Sequence, residues 1–322
     1  MTALRSPLLR ARGVTAPAAL FGLCLIAAVG SAISGRPILD GQALQSMAFQ
    51  LPEFGLLTIA MALPMIAGGI NLAVVATANL SAIAAALLLA GSQGGSLTVV
   101  TAVAAAIGVG TLTGAANGLV IAGLRASAVI VTLCAMLVAT GLGILLTGGS
   151  AVTGLPDGIR AAANATFAGV PAILVLFLVA VAVLGFILAR TPFGAELRAT
   201  GLNEAAARFS GIDTRRIILA TYALSGLFSA LAGLVMLGRF NSAKAGYGDS
   251  YLLATILAAV LGGISPDGGR GGMLGLLAAV FVLQATASTL NILNVDPYLT
   301  PLAWGLILLA KRAFDLHARR SR

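Results

Sequence analysis

Apolar runs of about 20 residues, the length that a helix needs to cross the hydrocarbon core of a bilayer, recur along the chain. Several of them, including 127–147 and 169–189, contain no charged residue. Only 9% of the 322 residues are charged, against about 25% in a soluble domain. Most of the surface must therefore face lipid rather than water. The pattern predicts an all-α fold, a polytopic bundle of transmembrane helices.

We predict ten spans, near 17–34, 49–69, 72–90, 98–122, 127–147, 169–189, 216–237, 251–264, 272–290 and 299–310. The first is expected to stay uncleaved, because no clear small-residue cleavage site follows it. In an alternative eight-helix arrangement, 251–264 and 272–290 form a re-entrant pair and one further merger occurs. Pro64 lies inside a span, so a neighbouring helix should satisfy the carbonyl that it frees. Residues 1–322 then form one transmembrane domain.

The basic residues predict the orientation of the bundle. With the N-terminus inside, 15 of the 19 Lys and Arg residues lie in inside segments, and the reverse orientation would invert this bias. The other four are Arg36, Arg160, Arg239 and Lys244. Both termini are therefore expected in the cytoplasm, with the chain in the inner (cytoplasmic) membrane. The net charge of +9 is spread between apolar runs rather than over one face, which argues against a nucleic-acid partner.

The motifs that carry enzyme chemistry are missing. The sequence has no HExxH motif, no Walker A motif and no paired carboxylates inside a span. Every Asp and Glu lies at a predicted helix end or in a loop, with Glu53 nearest to an exception. Cys24 and Cys134 lie in apolar runs and are expected to be buried and unpaired, and His317 lies in the polar tail. We expect no enzyme activity, no metal and no cofactor on this chain. A transporter of this kind would take its energy from another subunit.

Two longer polar segments separate the apolar runs. The first, 148–166, is rich in small residues and is expected to form an outside loop. The second, 190–215, is rich in helix formers and carries charges of both signs, and the predicted topology places it in the cytoplasm. Within it, Asn203 can cap a short helix, Glu204 and Arg208 form an i,i+4 pair, and Gly211 can end the helix.

Four stretches occur in the order found in the permeases of sugar-importing ABC transporters of the ribose, xylose and autoinducer type. They are AGGINLAV at 67–74, GAANGLVIAGLRASAVIVTL at 114–133, FGAELRATGLNEAAARFSGI at 193–212 and GGISPDGGRGG at 262–272. The chain resembles this family over about two-thirds of its length. It departs from the family pattern at Asn71, where an Asp is usual, and at Ala126 and Ser127, where a Pro is usual.

The resemblance implies a permease subunit of an importer for a monosaccharide or a similar solute. Its implied partners are an ATPase subunit that binds ATP with magnesium, a periplasmic or extracellular sugar-binding protein, and a second copy or a similar permease, all within membrane lipid. The implied ATPase-docking residues are Gly201, Asn203, Glu204, Ala205, Ala206, Arg208 and Gly211. The alternative from a different class is a self-sufficient secondary carrier for a small neutral solute.

Uncharged polar residues inside the spans are candidates for the translocation path, because a hydroxyl-rich solute needs hydrogen bonds but no fixed charge. They are Asn71, Asn79, Asn117, Gln284, Ser288 and Asn291. The last three follow i, i+4, i+7 spacing and share one helix face. The competing interpretation is hydrogen bonding between helices, worth about 0.6–2 kcal/mol a contact. For Asn71, which follows two glycines, a role in a helix break is equally open.

Overall fold

The computed structural model describes residues 41–92, 94–167, 169–293, 296, 299, 300, 302 and 304–306. In chain order the elements are α1 (Gly41–Ile66), α2 (Val74–Leu89), α3 (Ser96–Leu124), α4 (Ala128–Thr147), α5 (Asp157–Ala163), β1 (Thr166–Phe167), β2 (Val170–Pro171), α6 (Ala172–Arg190), α7 (Pro192–Leu202), α8 (Glu204–Phe209), α9 (Thr214–Phe240), α10 (Tyr251–Leu261) and α11 (Met273–Ile292). Helices α1–α4, α6 and α9–α11 correspond to the eight middle predicted spans. The first predicted span, 17–34, lies outside the described residues, as does half of the tenth.

Within the described residues, six helices are long and apolar enough to cross a membrane, namely α1, α3, α4, α6, α9 and α11. Helices α2 and α10 are shorter. At about 1.5 Å per residue, the 11 residues of α10 extend only about 16 Å, roughly half of the ~30 Å hydrocarbon core. The segment expected as an outside loop, 148–166, instead contains α5, and the two-residue strands β1 and β2 form a small hairpin that the all-α prediction did not include.

Helix α1 lies at the centre of the bundle. Every residue from Leu51 to Ile66 is buried, and the helix packs against α6, α9, α10 and α11. Its start at Gly41 is eight residues earlier than the predicted span, and this places Glu53 in the middle of the helix. The prediction that every carboxylate lies at a helix end or in a loop is therefore wrong for Glu53.

Three helices expose most of their apolar surface. In the most apolar 18-residue stretch of each helix, only 22% of α3, 17% of α4 and 22% of α6 is buried within the chain. Cys134, which we expected to be buried, is exposed on α4. Most of the apolar surface of α4 faces the surroundings of the chain and not its core. Because lipid and a protein core are equally apolar, hydropathy could not distinguish between these two environments.

Glycine allows α3 and α9 to pack with their backbones in contact. A Cβ atom added at Gly226 would lie 2.0 Å from the carbonyl oxygen of Gly110, and one added at Gly114 would lie 2.1 Å from that of Tyr222. Any larger residue at these positions would force the two helices apart. This close approach is the usual role of small residues between membrane helices.

The carbonyl freed by Pro64 is satisfied by a neighbouring helix, as predicted. The Ser225 hydroxyl of α9 donates to the Ala60 carbonyl oxygen at 2.6 Å, four residues before the proline. The Asn71 side-chain amide donates to the Ser225 hydroxyl at 2.9 Å, and its carbonyl oxygen accepts from the Ala73 N–H at 3.0 Å. A buried hydrogen-bond chain thus joins α1, α9 and the break between α1 and α2.

The segment between α9 and α11 passes from one end of the bundle to the other. Helix α9 has 27 residues and is about 40 Å long, so 241–250 lies at the end opposite 190–215. The turn at 262–272 returns to the first end, because the Gly269 N–H donates to the Ile66 carbonyl oxygen at 2.8 Å. This geometry fits two successive passages better than a re-entrant pair.

Replacement of Ser225 by Ala should destabilise the protein, because it leaves the Ala60 carbonyl and the Asn71 amide without a partner in an apolar interior. We expect a loss of about 1–3 kcal/mol, measured as a lower melting temperature of the purified protein in detergent. Ser229→Ala is the matched control, because the Ser229 hydroxyl is also buried in α9 but has no hydrogen-bond partner among the described residues. Equal melting temperatures for the two variants would contradict the proposed role of Ser225.

Candidate functional site

The polar segment at 190–215 folds into two short helices, α7 and α8, that follow α6 directly. The Asn203 side-chain oxygen accepts from the Ala206 N–H at 2.9 Å and so caps α8. Gly211 adopts φ +84° just after α8 ends, a conformation that glycine reaches without strain. The predicted cap and helix end are both confirmed.

The predicted pair on α8 forms an ion pair, with Arg208 Nη2 2.6 Å from Glu204 Oε1. Both side chains are nearly half exposed, at 44% and 47%, so solvent screens the pair and its contribution to stability is only a few tenths of a kcal/mol, about 0.3–0.5. The Thr214 hydroxyl donates to the same Glu204 oxygen at 3.3 Å. The pair therefore serves mainly to orient α8 against the start of α9.

Three of the four sequence stretches named above meet at one backbone contact, which we call the glycine junction (Ile66–Gly69, Gly201 and Gly268–Gly269). A Cβ atom added at Gly201 would lie 2.0 Å from the Ile66 carbonyl oxygen and 2.6 Å from the Gly269 nitrogen. The Ile66 and Gly269 backbones on either side of Gly201 are also bonded to each other, because the Gly269 N–H donates to the Ile66 carbonyl oxygen. The junction holds the end of α7 against the end of the central helix α1.

Exposed apolar side chains project from this polar segment. Phe209 of α8 is 94% exposed and Leu202 of α7 is 59% exposed, and Ala205 and Ala206 are exposed between them. Neighbouring exposed apolar side chains on a charged segment are a feature of protein-binding surfaces. The geometry places this surface at the end of the bundle that also carries the glycine junction.

The path candidates do not form one cluster. Asn71 lies in the helix break and Asn79 is buried in α2. Asn117 of α3 lines an open, mostly apolar cavity of about 470 Å³ between α3 and α4. On α11, the Gln284 amide donates to the Gln50 side-chain oxygen at 3.1 Å.

The other two α11 candidates differ in exposure. The Ser288 hydroxyl is buried without a hydrogen-bond partner among the described residues, and Asn291 is exposed. The three residues with i, i+4, i+7 spacing therefore run from the interior of α11 towards its exposed end.

A charged cluster inside the bundle was missed by sequence reasoning. Glu53 is 1% exposed and forms an ion pair with Arg239 at 2.5 Å, where the Arg239 side chain is 19% exposed. The Tyr251 hydroxyl donates to Glu53 at 2.8 Å. The available signal was a carboxylate followed by a long apolar run, together with Gln50 three residues earlier on the same helix face.

A family model described as branched-chain amino acid transport system / permease component matches residues 43–311. The match covers most of the chain, and the protein belongs to this family of permease components. With six helices of spanning length in the described part of the chain, it is a multi-pass membrane transport component rather than an enzyme.

Three relatives are similar over much of the chain. The ribose import permease protein of Bacillus subtilis (strain 168) is 35% identical over 263 residues, 81% of this chain and 80% of that protein. The L-arabinose transport system permease protein of Escherichia coli (strain K12) is 35% identical over 206 residues, 64% of this chain and 63% of that protein. The autoinducer 2 import system permease protein of Escherichia coli (strain K12 / DH10B) is 33% identical over 260 residues, 81% of this chain and 75% of that protein.

A solved structure described as an inward-facing conformation of a metal-chelate type ABC transporter has a similar fold. It superposes with a TM-score of 0.51 at 19% identity and covers 92% of this chain and 99% of that chain. At this identity the likeness concerns the fold alone.

Replacement of Gly201 by Ala should open the glycine junction, because the new methyl group would overlap the Ile66 carbonyl oxygen. Overpacking of this kind destabilises by about 1–3 kcal/mol, and we expect a lower melting temperature together with faster proteolysis within 190–215. Gly141→Ala on α4 is the control, because a Cβ atom there meets nothing within 4 Å. If both variants melt like the unmodified protein, the junction is looser than the structure indicates.

Proposed function

We propose that the chain is the transmembrane permease subunit of an ATP-driven importer for a monosaccharide or a related polyhydroxylated solute. The observation that carries the proposal is the joint similarity to ribose, L-arabinose and autoinducer 2 permeases at 33–35% identity. The family description names branched-chain amino acids, but it covers a whole family, whereas the three relatives are individual proteins. We therefore give the relatives more weight for the class of solute.

The proposed orientation has ten spans, with both termini and 190–215 in the cytoplasm and the chain as one transmembrane domain. The contacts support the sidedness, because 190–215 and 262–272 lie at one end of the bundle and 241–250 lies at the other. Basic residues among the described parts of the chain follow the same division. Seven lie at the first end (Arg125, Arg190, Arg198, Arg208, Arg215, Arg216 and Arg270) and three at the second (Arg160, Arg239 and Lys244).

The partners follow from this orientation. The surface formed by Leu202, Phe209 and the alanines between them would dock on a separate ATPase subunit, which binds ATP and magnesium. A sugar-binding protein would deliver solute at the opposite face, and a second permease copy or a similar subunit would complete the pore. The exposed apolar faces of α3 and α4 offer room for such a subunit or for lipid.

The polar residues retained as path candidates are Asn79, Asn117, Gln284, Ser288 and Asn291, with Asn71 serving the helix break. Their support is chemical. Each offers uncharged donors and acceptors, and the Ser288 hydroxyl and one Asn117 amide nitrogen are buried without partners in the described structure.

The function is tested by reconstituting the permease with its ATPase and binding protein in proteoliposomes. We expect uptake of labelled ribose or arabinose that requires ATP hydrolysis and exceeds uptake of labelled leucine at least tenfold. A catalytically inactive ATPase is the control. Uptake that persists with the inactive ATPase but stops when the proton gradient is removed would establish the secondary carrier instead. Preferential uptake of leucine would overturn the sugar assignment.

The docking surface is tested by Phe209→Ser, which removes the most exposed apolar side chain of α8 without touching the junction. We expect at least a tenfold loss of copurifying ATPase and a matching loss of uptake, with an unchanged melting temperature of the permease alone. Phe167→Ser is the matched control, because Phe167 is 70% exposed in the hairpin before α6, at the other end of the bundle. Normal copurification with the Phe209 variant would remove α8 as the docking helix.

A further inference from the structure

The ion pair between Glu53 and Arg239 connects three helices inside the bundle. Glu53 belongs to α1, Arg239 to the last turn of α9, and Tyr251, which donates to Glu53, to the first turn of α10. Phe54 packs against the Tyr251 ring, with the two centroids 5.8 Å apart. We call this cluster of Glu53, Arg239 and Tyr251 the far cluster.

The far cluster lies in the half of the bundle opposite the docking surface. Arg239 follows Thr214, the first residue of α9, by 25 residues, which is about 37 Å along the helix. Glu53 precedes Ile66 by 13 residues, which is about 20 Å along α1. In the proposed orientation the cluster therefore lies in the outer half of the membrane.

An ionised pair in this position is expensive to maintain, because removal of both charges from water is only partly offset by their attraction. Ionisable residues within membrane helices are rare and usually functional. Well-packed apolar residues would hold the same helices together at least as well. A charged pair has one property that apolar packing lacks: it can separate into a hydrated state when water enters.

Polar groups that would line an opened seam lie beside the far cluster. Gln50 is one helical turn before Glu53 on α1 and accepts from Gln284 of α11. Ser288, one turn further along α11, has a buried hydroxyl without a partner among the described residues. These side chains offer hydrogen bonds to a hydroxyl-rich solute, and the Gln284 side chain and the Ser288 hydroxyl are buried in this structure.

Helix α1 connects the far cluster to the glycine junction. Its last residue, Ile66, accepts the hydrogen bond from Gly269 and touches Gly201 of the docking segment. It contains Pro52, directly before Glu53, and Pro64, two residues before its end. Prolines are the usual points at which a helix bends, so movement at the junction can change the direction of the α1 segment that carries Glu53.

We propose that Glu53, Arg239 and Tyr251 form the outer gate of the permease. The ion pair closes the seam between α1, α9 and α10 in the resting state, and its separation during the transport cycle opens Gln50, Gln284 and Ser288 to the outer side. Glu53 and Arg239 are positioning residues in this scheme, since they control access rather than hold the solute. The proposal rests on the proposed transport function, but its main test does not require transport.

The test measures access from the outer side to a cysteine at position 288. Cys24 and Cys134 are replaced by Ser, Ser288→Cys is introduced, and the complete reconstituted complex is labelled with a membrane-impermeant maleimide without ATP. We expect Glu53→Gln to raise the labelling rate at least fivefold, and the exchange Glu53→Arg with Arg239→Glu to return it towards the starting rate. Arg160→Gln, which removes a charge at the same end but outside the cluster, should leave the rate unchanged.

Tyr251→Phe provides a second variant if the charge changes prevent folding, because it removes one hydrogen bond and keeps the ring packing. We expect it to raise the labelling rate at least twofold and to lower the amount of solute taken up per ATP hydrolysed. If Glu53→Gln or Tyr251→Phe protein is folded and labels at the starting rate, the gate is overturned and the cluster only joins helices. Absent ATP-driven uptake in the unmodified complex would overturn the proposed function, while the labelling rates would still decide the gate.

Discussion

The glycine junction determines how the polar segment 190–215 is attached to the membrane helices, because Gly201 packs against the Ile66 carbonyl oxygen that accepts the hydrogen bond from the Gly269 N–H. This hydrogen bond forms at the end of α1, the most buried helix of the bundle, and Gly201 leaves room for it. Because the contact is between backbones, it has little freedom to stretch or reorient. Displacement of α7 would therefore be transmitted to α1 with little loss, which is the mechanical property required of a coupling segment.

Two different solutions satisfy polar groups inside the bundle. Around Pro64, the freed carbonyl receives the Ser225 hydroxyl, and neutral hydrogen bonds complete the network through Asn71. Around Pro52, the next residue is Glu53, and the network is charged. A neutral network of this kind stabilises one arrangement of helices, whereas a buried ion pair is balanced between attraction and the loss of hydration. The neutral network at Pro64 suits a contact between helices that stays fixed, and the ion pair beside Pro52 suits a contact that opens.

Local features of the sequence predicted local structure well. The cap at Asn203, the pair between Glu204 and Arg208 and the eight middle helices each depend on residues a few positions apart. The glycine junction could not be predicted in this way, because Gly68, Gly201 and Gly268 are brought together only by the tertiary fold. The exposure of Cys134 was missed for another reason: lipid and protein core are equally apolar, so hydropathy cannot tell which one a side chain meets.

The distribution of charge bears on the class of solute. A branched-chain amino acid carries a carboxylate and an ammonium group, and each would need an opposite charge or several aligned dipoles at membrane depth. In the described part of the bundle, the buried carboxylate of Glu53 is already paired with Arg239. The remaining polar side chains inside the spans, such as Asn117, Gln284 and Ser288, are uncharged and match hydroxyl groups as donors and acceptors. Passage of a neutral polyhydroxylated solute would leave the ion pair free to act on access alone, whereas a zwitterion would compete for both of its members.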